Sequence, residues 1–269
     1  MQPDLDKLYP ISQEQHRQFQ RDGFILIRQL AEPEEVAFYR KAIVDAVARL
    51  NTEKRRMEDR DTYGKAFLQT MNLWRNDEAV KKFVFARRFA RAAAELLGVS
   101  AVRLYHDQAL FKEGHGGHTP WHQDHYYWPL DTDNAITMWM PLVRVPVEMG
   151  ALTFAASSHR NGFLVAIEIS DESHDRFDRY VKEKGYPVVN YEMEIGDATF
   201  HHGWVLHSAP ANAGDATREV MTIIYMADGA RAVQPDNPHR ANDLATWLPG
   251  VKPGEPAASK INPILYRRD

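Results

Sequence analysis

The run Thr119-Pro120-Trp121-His122-Gln123-Asp124-His125 places an imidazole and a carboxylate two residues apart. In an extended strand, side chains at i and i+2 share a face. His122 and Asp124 can therefore grip one metal ion, and a histidine from elsewhere in the chain would complete a two-histidine, one-carboxylate set. Such a set leaves the opposite coordination positions open, as non-haem Fe(II) oxygenases require. The chain has no cysteine, so disulfides and thiolate sites are excluded and any metal must rest on His, Asp or Glu.

The strongest stretch for the third ligand runs from Gly196 to Pro210 (GDATFHHGWVLHSAP). Gly196-Asp197 reads as a turn, and Val205-Leu206-His207 as a short apolar strand whose last residue can point into a barrel. His201 and His202 compete with His207, but their place just after a turn reads as rim or surface. His115 and His118, in a glycine-rich run, read as mobile loop residues beside a pocket, while His106, His159 and His174 have no special context. Eleven residues past His207, Arg218 opens the apolar run Arg218 to Tyr225. An inward arginine on such a strand requires an anion. A dicarboxylate would supply one, clamped by two hydrogen bonds. The plainer alternatives are a surface ion pair for Arg218 and chance occurrence for His-x-Asp. Convergence of four residues on one site favours the metal.

These residues need a scaffold. Residues 12–21 read as a helix opened by Ser12, and 23–28 as a strand. Pro33 starts a second helix, with Val36, Tyr39, Ile43, Val47 and Leu50 on its buried face. Residues 51–65 are densely charged and read as a solvated, mobile segment; a helical region over 76–97 closes at Gly98. From about 100 the pattern changes to short strands separated by turn residues: 101–112, 121–125, 135–143, 151–155, 163–169, 187–193, 197–200, 203–207 and 218–227, interrupted by one helix near 171–184. The proline-rich last 40 residues read as an extended tail wrapping the surface. We expect one α+β domain over 1–269 with a mainly β core: a helical part to residue 100, a β core over 101–227 and a C-terminal extension over 228–269.

The 269 residues and a hydrophobic fraction of 44% support a large core. With 33 basic and 37 acidic residues spread evenly, the chain gives no reason to expect nucleic acid or an anionic membrane as partner. The start Met1-Gln2-Pro3-Asp4 lacks the basic-then-apolar pattern of a signal peptide, and the end Tyr266-Arg267-Arg268-Asp269 is no peroxisomal address. No apolar run approaches the roughly 20 residues that span a bilayer. The expectation is a cytoplasmic monomer or homodimer acting on a small molecule.

Taken with Asp22-Gly23-Phe24, the run Gly150-Ala151-Leu152-Thr153-Phe154, and Ser157-Ser158-His159, these features resemble the phytanoyl-CoA dioxygenase family of Fe(II)/2-oxoglutarate-dependent oxygenases, over residues 22 to about 227. The resemblance implies a double-stranded β-helix, a jelly-roll barrel flanked by N-terminal helices. It implies iron on His122, Asp124 and His207, and the distal carboxylate of 2-oxoglutarate on Arg218. Gln108 and Trp139 fall at positions that contact this cosubstrate, and Lys112 matches a basic residue on the strand of Gln108. Trp139 has barrel core as its plainer reading. Where the family often carries serine two residues past the distal histidine, Ala209 stands, with Ser208 beside it as a partial substitute.

The implied reaction consumes dioxygen and 2-oxoglutarate, releases succinate and carbon dioxide, and oxidises an unactivated C–H bond of a small or medium-sized metabolite. The carboxylate of Asp124 favours hydroxylation over halogenation, because halogenating relatives have a small residue there. The run Tyr126-Tyr127-Trp128 and His118 are expected at the substrate entrance, with 51–75 and 113–119 as lids. Alternatives are a fatty acyl-CoA 2-hydroxylase, a zinc hydrolase on the same ligands, or a non-catalytic jelly-roll metabolite-binding protein.

Overall fold

The computed structural model describes residues 3–268; Met1, Gln2 and Asp269, the outermost residues of the two termini read above, lie outside it. The N-terminal half supplies α1 (Gln13–Asp22), β1 (Phe24–Ile27), α2 (Pro33–Leu50), α3 (Thr62–Ala66), β2 (Leu68–Met71), α4 (Glu78–Val84) and α5 (Arg87–Leu97). The remainder supplies β3 (Ala101–Phe111), β4 (Thr119–His122), β5 (Ala135–Pro141), β6 (Thr153–Ala155), α6 (Asp171–Lys184), β7 (Val188–Asn190), β8 (Ala198–His202), β9 (His207–Ala209), β10 (Val220–Ala227), α7 (Pro238–Trp247) and β11 (Ile264–Arg267).

Local signals set several of these boundaries. Ser12 and Gln15 form a capping box on α1, and Gly23 closes it at φ 80°. A Cβ on Gly23 would sit 2.3 Å from the His159 ring, so both the conformation and the contact require glycine. The helical region over 76–97 is two helices, because Ala86 is extended (φ −53°, ψ 116°) and turns the chain. That turn brings Phe83 and Phe89 edge to face at 5.3 Å.

The strands form two antiparallel sheets, a jelly roll. The larger runs β1-β8-β5-β10-β3-β11, with β2 also on β3; the smaller runs β4-β9-β6-β7. Strand alternation gives the larger sheet two different faces. Ile136, Met138 and Met140 of β5, with Met221 and Ile223 of β10, pack under α1, α2, α4 and α5. Fully burying a side chain of this size contributes about 1.5–3 kcal/mol. Their neighbours Thr137, Trp139, Thr222 and Ile224 face the barrel interior, as do His106, Gln108 and Leu110 of β3.

Four expectations are corrected. Residues 51–65 are not simply solvated: Arg60 is buried against Glu113, and Thr62–Ala66 is helical. Residues 68–71 pair with β3, so 51–75 is no single lid. The run 163–169 forms no strand, because it is held by isolated bonds from Leu164 N to Gln123 Oε1 and from Ile169 N to the Tyr127 hydroxyl, not by a ladder. The C-terminal residues are not a surface wrap: α7 is capped by Asn237 and β11 pairs with β3. No helix among the described residues is long and apolar enough to cross a membrane.

Candidate active site

The chain leaves β4 at His122, and Asp124 opens a short 3-10 turn, so the two do not share a strand as expected. Gln123 between them stays extended (φ −120°, ψ 120°), so the i, i+2 relation survives the junction. Gln123 itself points away, its amide donating to the Gly162 and Trp204 carbonyls. His207 begins β9 rather than ending a strand over 203–207, and it is the direct cross-strand partner of His122. The rings of these two histidines stand 4.1 Å apart, centroid to centroid.

His122 Nδ1 is bonded to the Pro120 carbonyl and His207 Nδ1 to the Val205 carbonyl. Both Nε2 atoms are thereby turned to the same point, 3.4 and 3.6 Å from Asp124 Oδ1. Two donors at right angles on one ion, with bonds of about 2.1 Å, stand roughly 3 Å apart. The donors of His122, Asp124 and His207 all lie within 4.8 Å of one another and could hold one metal ion. The other carboxylate oxygen, Oδ2, accepts from Thr137 Oγ1 at 3.0 Å and contacts His201 Nε2 at 3.2 Å. Ligands oriented in this way bind metal more tightly. Burial pushes the Asp124 carboxyl up, but the pull of His207 and the hydrogen bonds from His122 and His201 outweigh it and hold the group well below the usual range.

His201 is therefore no surface residue. It is 2% exposed and lines the cavity beside the ligands. Alternation along β8 could have shown this, since Phe200 packs under the helices and His201 must face the other way.

The site opens on a cavity of about 500 Å³. Arg218 lies two residues before β10, bridged to Lys112, and its guanidinium reaches into the cavity. Its carbon stands 5.3 Å from the Trp139 ring centroid, and it donates to the Gly150 carbonyl. That carbonyl is presented by a left-handed Gly150 (φ +85°), where a Cβ would meet the Pro210 carbonyl at 2.8 Å. Among the described residues no carboxylate pairs with Arg218, and its Nε has no partner. Burial pushes its pKa down to about 9.

Of the other expected contacts, Gln108 and Trp139 line the cavity, and Trp139 Nε1 is buried without a partner. Gln108 accepts from Gln69 Nε2 at 2.6 Å, and the Tyr63 hydroxyl donates to Gln69 Oε1 at 3.1 Å. The sequence reading did not include Gln69 and Tyr63. Lys112 is a correction: fully buried, it is outside the lining, and its amine is turned to the Gly117 carbonyl, tying down the 113–119 loop. Burial pushes its pKa down to about 6. Ser208 is not in the lining either, because its neighbour His207 takes the inward position. Tyr127 and Trp128 line the cavity; Tyr126 and His118 do not. Tyr126 is buried against His239, and the His118 ring packs on His174. Arg240 of α7 donates to the Tyr126 carbonyl at 3.2 Å, which seats His239, Asn242, Asp243 and Trp247 across the mouth.

A jelly roll with two histidines and a carboxylate converging beside a buried, unpaired arginine defines the class of molecule. The chain belongs to the phytanoyl-CoA dioxygenase (PhyH) family, whose sequence profile matches residues 19–220. It is 29% identical over 136 residues to phytanoyl-CoA dioxygenase domain-containing protein 1 of Danio rerio; the match spans 48% of this chain and about half of that relative (46%). Among solved structures, it resembles the non-heme alpha ketoglutarate dependent epimerase SnoN from nogalamycin biosynthesis (25% identity, TM-score 0.75, covering 94% of this chain and 97% of that one). The fold is also shared with the carbocyclase SnoK from the same biosynthesis (22%, TM-score 0.77, 97% and 98%). EctD from S. alaskensis shares it too (19%, TM-score 0.72, 99% and 92%).

Proposed function

We propose that the protein is a non-haem Fe(II)/2-oxoglutarate-dependent oxygenase that oxidises an unactivated C–H bond of a small or medium-sized metabolite. The observation that carries this reading is Arg218. A guanidinium 1% exposed, without an acidic partner among the described residues, shares a cavity with the His122, Asp124 and His207 donors. A buried charge of this kind calls for an anion, and 2-oxoglutarate has one carboxylate for the arginine and a keto acid for the metal. A zinc hydrolase would leave Arg218 unexplained.

In this reading His122, Asp124 and His207 hold iron, and the iron with 2-oxoglutarate and dioxygen supplies the oxidising power, with succinate and carbon dioxide as co-products. Thr137 and His201 fix the Asp124 carboxylate so that Oδ1 faces the metal. Arg218 fixes the far end of the cosubstrate, and orientation of this kind carries much of the rate. Trp139 walls the cosubstrate on the Arg218 side, and Gln108, braced by Gln69 and Tyr63, offers its amide hydrogens to the cavity. The volume, about 500 Å³, suits a cosubstrate with a modest substrate and is small for a fatty acyl-CoA. Fe(II)-dependent conversion of 2-oxoglutarate to succinate by the wild type, lost in His122→Ala, is the expected result. No succinate from the wild type across a substrate screen would overturn the proposal.

A further inference from the structure

The part of the cavity away from Arg218 is lined by carboxyl groups, one of which, Asp243, burial pushes up to about 7. Asp61, Glu168 and Asp243 line it in addition to Asp124, while among the described residues Arg218 is the only lysine or arginine of the lining. The three are not equivalent. Asp61 is exposed and caps α3, accepting from Gly64 N at 2.7 Å. Glu168 is exposed at the rim and pairs with His239 at 2.9 Å. Asp243 lies deeper, on α7, and its Oδ2 accepts from the Tyr105 hydroxyl at 3.1 Å. No cationic side chain pairs with it among the described residues.

Aromatic side chains share the cavity with this carboxyl, and the Trp247 indole hydrogen-bonds it. Trp247, Trp128, Tyr127 and Tyr63 share the lining, and the Trp247 ring stands 5.0 Å from that of His106. His106 is itself 4% exposed, on the inward face of β3, with its Nδ1 unpartnered. The Tyr63 phenol is pushed up by burial and then by the charges of both Asp124 and Asp243, so the two carboxylates act on one stretch of cavity. A carboxyl group beside aromatic rings, at the end of the cavity away from Arg218, is the chemistry that holds an ammonium group.

We propose that the substrate is an amine: a cationic nitrogen seated between Asp243 and the Trp247, Trp128 and Tyr127 rings, with the carbon to be oxidised directed at the metal site. The inference rests on the oxygenase reading for the reaction, but not for the binding.

The test uses two near-isosteric probes, 2-phenylethylamine and 2-phenylethanol, titrated into the full-length protein with and without 2-oxoglutarate. Binding is followed by quenching of tryptophan fluorescence, since Trp128 and Trp247 line the site. A charge-assisted hydrogen bond is worth roughly ten- to a hundredfold in affinity, so the amine should bind at least about tenfold more tightly than the alcohol. Asp243→Asn should bring the two together, while Asp236→Asn, on the exposed start of the same segment, should leave the ratio unchanged. Equal binding of both probes by the wild type, binding of neither, or an amine preference that survives in a folded Asp243→Asn would overturn the proposal. The wild-type ratio stands as a test even if that variant does not fold. Succinate release, measured in parallel, separates the two readings: succinate with no amine preference refutes the amine site alone, and amine preference with no succinate refutes the oxygenase alone.

Discussion

Arg218 should destabilise the ligand-free protein that it equips for binding. Its pKa falls from 12.5 to about 9 on burial, which corresponds to about 5 kcal/mol against holding the charge without an anion. Both folded and unfolded states are charged below 9, so the whole penalty is present at neutral pH and is relieved only as pH rises from about 9 towards 12.5. Methionine fills a similar volume without charge. Arg218→Met removes the penalty but also loses the bond to the Gly150 carbonyl, about 1–3 kcal/mol. It loses the contact with Trp139 as well, about 1 kcal/mol. The net is a stabilisation of about 2 kcal/mol, a rise in melting temperature of roughly 4–8 °C. Melting with and without 2-oxoglutarate, beside a redox-inert divalent metal, completes the assay. At a hundredfold its Kd the cosubstrate should stabilise the wild type by about 2.7 kcal/mol and leave Arg218→Met unmoved. A variant that melts lower than the wild type by about 5 °C or more, or one shifted by 2-oxoglutarate as the wild type is, would refute the reasoning.

Two further outcomes follow from other buried groups. Asp107 on β3 is fully buried, accepts from Leu73 N at 3.0 Å, and is pushed by burial from 3.8 up to about 7. The folded state thus keeps a proton that the unfolded state releases near 4, so about 4 kcal/mol of stability present at low pH is lost as pH rises through about 7. The urea midpoint of Asp107→Asn, relative to wild type, should climb from pH 5 to pH 8; a gap that does not change with pH contradicts the assignment. His201→Phe and Thr137→Val each remove one hold on Asp124 Oδ2, and metal affinity by calorimetry should fall roughly 10–100-fold, with the fold intact by circular dichroism. Unchanged affinity in both would mean that neither orients the ligand.

The candidate metal ligands His122 and Asp124 were legible because their signals are local. The i, i+2 spacing of His122 and Asp124 and the helix marked by Ser12 need no knowledge of distant chain. The α6 helix, marked by Ser170 and Gly185, is read in the same way. What escaped depends on pairing across the sequence. Gln69 reaches the cavity only because β2 pairs with β3, with Gln69 opposite Leu110. His201 needed β8 to extend two residues beyond the turn-bounded run at 197–200. Lys112 lies on the same alternation as Gln108 and Leu110, yet its amine is diverted by the carbonyl of Gly117. The α7 helix did carry a local mark, Asn237 before Pro238, but the surrounding prolines made it read as tail.

The central claim is that His122, Asp124 and His207 hold iron with 2-oxoglutarate chelated beside Arg218. Anaerobic addition of Fe(II) and then 2-oxoglutarate is the most direct test, because a bidentate keto acid on an iron with open positions gives a weak visible charge-transfer band. The band should appear in the wild type, vanish in His207→Ala, and require far more 2-oxoglutarate in Arg218→Met. A wild type that binds Fe(II) but develops no band at saturating 2-oxoglutarate would contradict the account.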